Sequence, residues 1–90
     1  MRTIWKVELA ISDRQVIILP KGSTILTTQM QRGIPCLWAI VDPTELQEER
    51  HICVIGTGHE IEDSKILSYI GTCQQFYGEL IWHIFEIKKE

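Results

Sequence analysis

The fold is decided by the C-terminal segment 68–87, which reads SYIGTCQQFYGELIWHIFEI. Two apolar runs flank Tyr77-Gly78 in this segment. The second run sets Leu80, Trp82 and Ile84 against Ile81, His83 and Phe85. Alternation with a period of two is typical of a strand with one buried face, and a short Gly-containing turn between two such runs predicts an antiparallel hairpin.

Working outward from this hairpin, the rest of the chain shows the same kind of pattern. Further strands are predicted over residues 4–11, 14–19, 24–31, 35–41 and 51–55. We expect the first two to form a hairpin around Ser12-Asp13, and the fourth, apolar on both sides, to be central in a sheet. Leu46–Arg50 is interpreted as a mobile surface loop, and 61–66 as a loop or a single helical turn.

About seven short strands with regularly spaced turn residues predict an all-β fold that is mainly antiparallel. The spacing fits a small sandwich or barrel with little helix. With 90 residues, the chain is expected to form one domain over 1–90. Such a short chain buries a modest core, so we expect it to share stability with further copies of itself as a homo-oligomer.

The composition excludes several classes of function. The net charge of −3 argues against binding to long nucleic acid, which needs a basic surface. No apolar stretch approaches the length of a membrane span and no signal peptide is recognised, so a soluble protein without a membrane partner is expected. The three widely spaced cysteines, Cys36, Cys53 and Cys73, are expected to be buried, reduced thiols.

The run Gly56-Thr57-Gly58-His59 is the most suggestive chemical feature of the sequence. Two glycines allow the backbone to approach a ligand and direct its N–H groups toward an anion, while Thr57 and His59 add donors. The run lacks the spacing and the lysine of a P-loop, and it lacks the third glycine of a dinucleotide fingerprint. A plain turn between two strands therefore remains the competing interpretation.

The sequence shows no motif for metal binding or for catalysis. The histidines and cysteines do not form the closely spaced pairs of a zinc site, no cysteine is marked as a nucleophile, and the carboxylates are interpreted as solvated charge. We therefore expect no catalytic residue, no metal and no cofactor, and interpret the protein as a non-enzyme. The three tryptophans are core residues by default, although one or two at a rim could stack on nucleobases.

Seven short pieces of the sequence carry a resemblance to a known family. They are Ile4-Trp5-Lys6, Pro20-Lys21-Gly22, Pro35-Cys36-Leu37-Trp38-Ala39, Val41-Asp42-Pro43, Gly56-Thr57-Gly58-His59, Tyr69-Ile70-Gly71-Thr72 and His83-Ile84-Phe85-Glu86. In order and spacing the chain resembles, almost end to end, small proteins of phages and prophages classed as a domain of unknown function. Several small phage proteins are oligomeric sponges for the cyclic nucleotide signals of bacterial defence systems such as CBASS, and the resemblance implies this role by analogy.

The resulting hypothesis is a phage immune-evasion protein of the host bacterial cytoplasm that binds a cyclic nucleotide, or cyclic dinucleotide, without cleaving it. Its ligand-binding residues are chosen on physical grounds from the matching pieces and their neighbours. Phosphate contacts are assigned to Thr57, Gly58, His59 and Thr72, charge compensation to Lys6, and stacking or base-edge contacts to Trp38 and Gln74. A structural or protein-binding phage accessory protein and a small hydrolase of the signal are the alternatives.

Overall fold

The computed structural model describes residues 1–62 and 66–88, which form seven strands and no helix. The strands are β1 (Thr3–Glu8), β2 (Gln15–Pro20), β3 (Thr24–Gln31), β4 (Ile34–Val41), β5 (Gln47–Gly56), β6 (Ile66–Gln75) and β7 (Leu80–Lys88). Every pairing between them is antiparallel, which confirms the predicted all-β fold. No helix able to cross a membrane occurs in these residues. The interpretation of 61–66 falls partly on 63–65, outside the described residues.

The strands form two sheets that face each other as a sandwich. One sheet has the order β1-β4-β3 and the other the order β2-β5-β7-β6. Apolar side chains of both sheets meet between them and form the core, which includes Leu37 and Val41 of the first sheet and Ile52 and Ile84 of the second. Because side chains alternate along a strand, the residues between these core positions point to the outer faces. Of the two predicted architectures, the sandwich is the one that forms.

Two further predictions from the apolar pattern are confirmed. The strand predicted to be central is β4, which pairs with β1 on one side and β3 on the other. The C-terminal hairpin is formed by β6 and β7. Its turn uses positive φ at Phe76, Tyr77 and Gly78, at 53°, 55° and 89°. The three cysteines are buried and form no disulfide, and burial raises the pKa of the Cys36 thiol.

The predicted N-terminal hairpin is wrong. Strand β1 ends at Glu8 rather than continuing to Ile11, and it pairs with β4, whereas β2 pairs with β5 of the other sheet. The connection between them is held by the Gln15 side chain, whose amide group exchanges hydrogen bonds of 3.0 and 2.8 Å with the backbone N–H and C=O of Ala10. This side-chain contact gives the backbone an alternative to hairpin pairing, so the chain crosses between the sheets.

The prediction of a mobile loop over Leu46–Arg50 is also wrong, since β5 begins at Gln47. The charged side chains of this segment are used within the fold. Arg50 donates two hydrogen bonds to the carboxylate of Glu86 on β7 and a third, of 2.8 Å, to the carbonyl of Ser23. These bonds from Arg50 hold the pKa of Glu86 below its usual range; burial opposes them and Lys88 adds to them.

Candidate functional site

The chain leaves β5 through an ordinary hydrogen-bonded turn, as the competing interpretation predicted. His59 donates its backbone N–H to the carbonyl of Gly56, at 3.1 Å, and Gly58 has a φ of 88°. This left-handed conformation is one that glycine adopts at little cost, which explains the residue at position 58. Thr57 and His59 are both exposed, so the turn presents two polar side chains to solvent.

Beside this turn lies a groove of about 290 Å³. One wall is formed by turn residues Gly56, Thr57 and His59, and the other by residues 79–82 at the start of β7. Gly56 pairs with Trp82 in the sheet and has no side chain of its own. A polar turn therefore faces a wall that is apolar except for Glu79, across a space that a small ligand group can enter.

Two side-chain rings lie over Gly56, which has no side chain of its own. A Cβ atom built there would lie 2.9 Å from Cε1 of His59 and 3.2 Å from Cζ3 of Trp82. The imidazole and the indole therefore both reach over the same backbone position. The indole is fixed by a 3.0 Å hydrogen bond from its Nε1 to Oε1 of Gln75, so its orientation is set before any ligand arrives.

A chain of polar side chains continues from the groove across the outer face of the four-stranded sheet. The hydroxyl of Thr57 lies 2.7 Å from Nε2 of His83, and Nδ1 of His83 lies 3.2 Å from the hydroxyl of Thr72. The hydroxyl of Thr72 in turn lies 2.7 Å from that of Tyr69. Two predicted site residues, Thr57 and Thr72, are thus joined through His83. A neutral imidazole has one donor and one acceptor, which the rotating hydroxyls can match.

The comparison with protein families covers the whole chain. Residues 1–90 match the domain of unknown function DUF7352. The chain belongs to this family. It matches no curated protein and no solved structure. The family match agrees with the resemblance to a small domain of unknown function drawn from the sequence.

In this DUF7352 chain, Lys6 and Trp38 lie away from the groove, on the outer face of the three-stranded sheet. They are direct cross-strand partners, because Lys6 of β1 pairs with Trp38 of β4. Trp38 alternates with Leu37 and Ala39, which point into the core, so the pair faces outward. Lys6 donates a 2.6 Å hydrogen bond to the side chain of Gln31. One copy of the chain therefore does not bring these two residues together with Thr57 and His59.

Gln74 lies nearer to the groove than Lys6 and Trp38 do, but it does not line the groove. It lies on β6 opposite Ile81, which lines the groove, so it is one strand removed from it. Its side chain leans toward the hairpin turn, where its Oε1 would lie 3.2 Å from a Cβ at Gly78. The residue is exposed and can contact only a ligand that extends across β7.

The groove contains hydrogen-bonding groups and one carboxylate. Glu79 lies at its β7 end, and the groove-lining residues include no lysine or arginine. Among the described residues, no group of three or more histidine, cysteine or acidic side chains is placed to hold a metal. An anion in the groove would therefore be held by the turn, Thr57 and His59, without a lysine or arginine from the same lining.

Three residues of this region were not assigned to the site from the sequence. Trp82 is one of the tryptophans expected in the core, and it does pack against the core while lining the groove. No site role is predicted for His83 or Tyr69. A signal for His83 was available, because the predicted hairpin around Tyr77-Gly78 places Thr72 directly opposite it, as the register shows. No comparable signal pointed to the position of Trp82 beside the glycine turn, because that contact joins β7 to β5.

Proposed function

We propose that the protein is a phage immune-evasion protein that binds a cyclic nucleotide or cyclic dinucleotide signal and sequesters it without cleaving it. The observation that carries the proposal is the groove in which His59 and Trp82 both reach over Gly56. Phage origin and the defence-related role come from the resemblance of the sequence. The polar turn and the indole beside it support the proposal.

The two walls of the groove suit the two halves of a nucleotide. Thr57 and His59 provide donors for a phosphate or a ribose hydroxyl, and a hydrogen bond to a charged oxygen contributes about 1.5–3 kcal/mol. Trp82 provides a fixed aromatic surface, and stacking a base on such a surface contributes ~1–3 kcal/mol. In this proposal Trp82 takes the stacking role that the sequence assigned to Trp38. Gly58 shapes the turn.

The size of the groove bears on the ligand class. Its volume of about 290 Å³ is at the lower limit of the range of roughly 300–1,000 Å³ that is typical of ligand pockets. It therefore suits one nucleotide unit. The second unit of a cyclic dinucleotide would extend past the groove, toward Thr72 and Gln74 on β6 or toward another copy of the chain.

The direct test is a depletion and release experiment. The purified protein is incubated with a panel of cyclic mono- and dinucleotides, with their linear counterparts as controls, and the free fraction is quantified by chromatography. The protein is then heat-denatured and the released molecules are identified. Depletion of a cyclic nucleotide followed by release of the intact compound supports the proposal.

The other outcomes separate the alternatives. Recovery of a linear or otherwise altered compound contradicts sequestration and indicates a hydrolase. No depletion of any nucleotide contradicts the proposal and leaves the protein-binding accessory role. Quenching of tryptophan fluorescence on titration, absent in Trp82→Leu, would place the ligand in the groove rather than on the outer face that carries Trp38.

A further inference from the structure

The four edge strands of the sandwich differ in how they are protected against pairing with another strand. Strands β3 and β6 each contain a register shift, and they pack against each other where the sheets meet. Strand β1 carries the charges of Lys6 and Glu8. Such bulges, contacts and charges are the usual means by which proteins block edge pairing.

Strand β2 has no such bulge, contact or charge, and its only protective feature is Pro20 at its last position, which lacks an N–H. Its residues, Gln15–Pro20, carry no charge, and its pairing with β5 runs without a register shift. Val16 and Ile18 are each 48% exposed, although they belong to an apolar, β-branched run. The strand has one neighbour in the sheet, β5, so its other edge presents backbone N–H and C=O groups for a further strand.

We infer that β2 is the dimerisation edge and that it pairs with β2 of a second copy in antiparallel orientation. A two-fold axis perpendicular to the sheet, passing beside Ile17, sets Ile17 opposite Ile17 of the second copy and Val16 opposite Ile18 of the second copy. Residues directly opposite share a face, so the exposed Val16 and Ile18 contact each other on the outer side. The two four-stranded sheets become one continuous eight-stranded sheet.

The charged residues just beyond the ends of β2 favour a second copy of this chain over an unrelated partner. The same register brings Asp13 of one copy opposite Lys21 of the other, at both ends of the pairing. Both residues are exposed, and neither forms an ion pair within the residues that the structure describes. Asp13 also lines a hollow of about 240 Å³ together with Glu60 and Glu62, so the incoming lysine meets three carboxylates. A self-paired β2 therefore satisfies charges that one copy leaves unpaired.

The first test is the oligomeric state. Light scattering during size exclusion at micromolar concentration is expected to give twice the mass of the chain for the wild type. Val16→Lys/Ile18→Lys places like charges directly opposite each other and is expected to give a monomer with an unchanged circular-dichroism spectrum. The matched control Leu26→Lys/Ile34→Lys adds the same charge at exposed apolar positions of the other sheet and is expected to stay dimeric.

The charge pair gives a second test that does not alter β2 itself. Asp13→Lys and Lys21→Asp, each alone, are expected to raise the dimer dissociation constant at least several-fold at low salt. The double variant is expected to restore it in part, because the lysine introduced at position 13 attracts the aspartate introduced at position 21, while Glu60 and Glu62 still repel that aspartate. Restoration is the signature of an ion pair between copies, because a structural defect in either variant would persist in the double variant. Additive weakening would overturn the proposed register.

Cysteine cross-linking tests the register directly. Residues opposite each other in an antiparallel pair have Cα atoms about 4.5–5.5 Å apart, within the range of a disulfide, whereas diagonal residues are about 7–8 Å apart. A mixture of Val16→Cys and Ile18→Cys is expected to cross-link under mild oxidation far more than either variant alone. A monomeric wild type, or a dimer that persists in Val16→Lys/Ile18→Lys, would overturn the inference. Neither result depends on the ligand of the groove.

Discussion

Gly71 of β6 lies so close to Thr28 of β3 that a Cβ atom at position 71 would be 2.6 Å from Cγ2 of Thr28. Here the two sheets approach each other. The hydroxyl of Thr28 donates a 2.7 Å hydrogen bond to the carbonyl of Cys36 and lies 3.5 Å from the sulfur of Cys73. Thr28 is buried, so its side chain has little freedom to move away. Gly71 is therefore required by close packing.

Replacing Gly71 by alanine is expected to lower the free energy of unfolding by about 1–3 kcal/mol, because the added methyl group overpacks a rigid contact. Thermal or denaturant unfolding measures the change. Thr28→Ser provides the matched control, since it removes Cγ2 and keeps the hydroxyl. The double variant Thr28→Ser/Gly71→Ala should be more stable than the sum of the single changes predicts. Simple additivity would show that Thr28 Cγ2 is not the obstacle.

The fold class could be predicted from the sequence, but the sheet topology could be predicted only in part. Period-two alternation and turn residues are local signals, and they gave the strands and the hairpin around Tyr77-Gly78. The assignment of β1 and β2 to different sheets depends on contacts of Gln15 with Ala10 that no alternation reports. The charged segment 47–50 is a strand and not the predicted loop. Its local composition could not show this, because Glu86, which pairs with Arg50, lies 36 residues away in sequence.

The ion pair between Arg50 and Glu86 predicts a pH-dependent stability. Because the pKa of Glu86 is lowered in the folded protein, its contribution is fully present above the ordinary glutamate value of 4.5. It is lost as the pH falls through the lower folded value, where the carboxylate takes up a proton. Unfolding measured across this acidic range should show stability that falls with pH in the wild type and a weaker slope in Glu86→Gln.

At neutral pH, Glu86→Gln is expected to cost roughly 2–4 kcal/mol, since it leaves the largely buried Arg50 guanidinium with only the more distant carboxylate of Glu48, at 3.9 Å, as a counter-ion. Lys88→Met is the control, because Lys88 contacts the same carboxylate at 3.1 Å but is half exposed. Its loss should cost less than about 1 kcal/mol. Equal effects of the two substitutions would mean that Arg50 contributes no more than a surface charge.

The placement of the His59 and Trp82 rings beside the groove can be tested at Gly56. Gly56→Ala places a methyl group where the rings of His59 and Trp82 meet, and we expect affinity for the nucleotide to fall about tenfold or more, as for one lost contact of ~1.4 kcal/mol. Gly58→Ala is the matched control in the same turn, because no atom lies within 4 Å of a Cβ there. It should cost about 1 kcal/mol of stability from its positive φ and retain affinity. Titration calorimetry of both variants separates the effect of displaced rings from the effect of a strained turn.

The candidate site was predictable only in part. The Gly56–His59 run marked the turn correctly because glycine and polar residues report local backbone geometry. The link between Thr57 and Thr72 passes through His83 and follows from the register of three strands. Lys6 and Trp38 were grouped with this turn because their side chains suit a nucleotide, but residue type carries no information about which sheet a side chain belongs to. Alternation places them on the opposite outer face.

His59 lines the groove, whereas Lys6 lies on the outer face of the three-stranded sheet. Substitutions at these two residues therefore distinguish between the two candidate binding faces. His59→Ala is expected to cost about 1.5–3 kcal/mol of binding free energy if its ring donates to a charged phosphate oxygen, which corresponds to roughly ten- to hundredfold weaker binding. The effect should diminish at high salt, because a phosphate contact is partly electrostatic. Both residues are exposed, so neither substitution should alter the circular-dichroism spectrum. Lys6→Ala removes a positive charge on the far face and should leave affinity unchanged. Calorimetric titration of the three proteins with a bound cyclic nucleotide decides between the faces, since loss of affinity in Lys6→Ala alone would place the ligand on the three-stranded sheet.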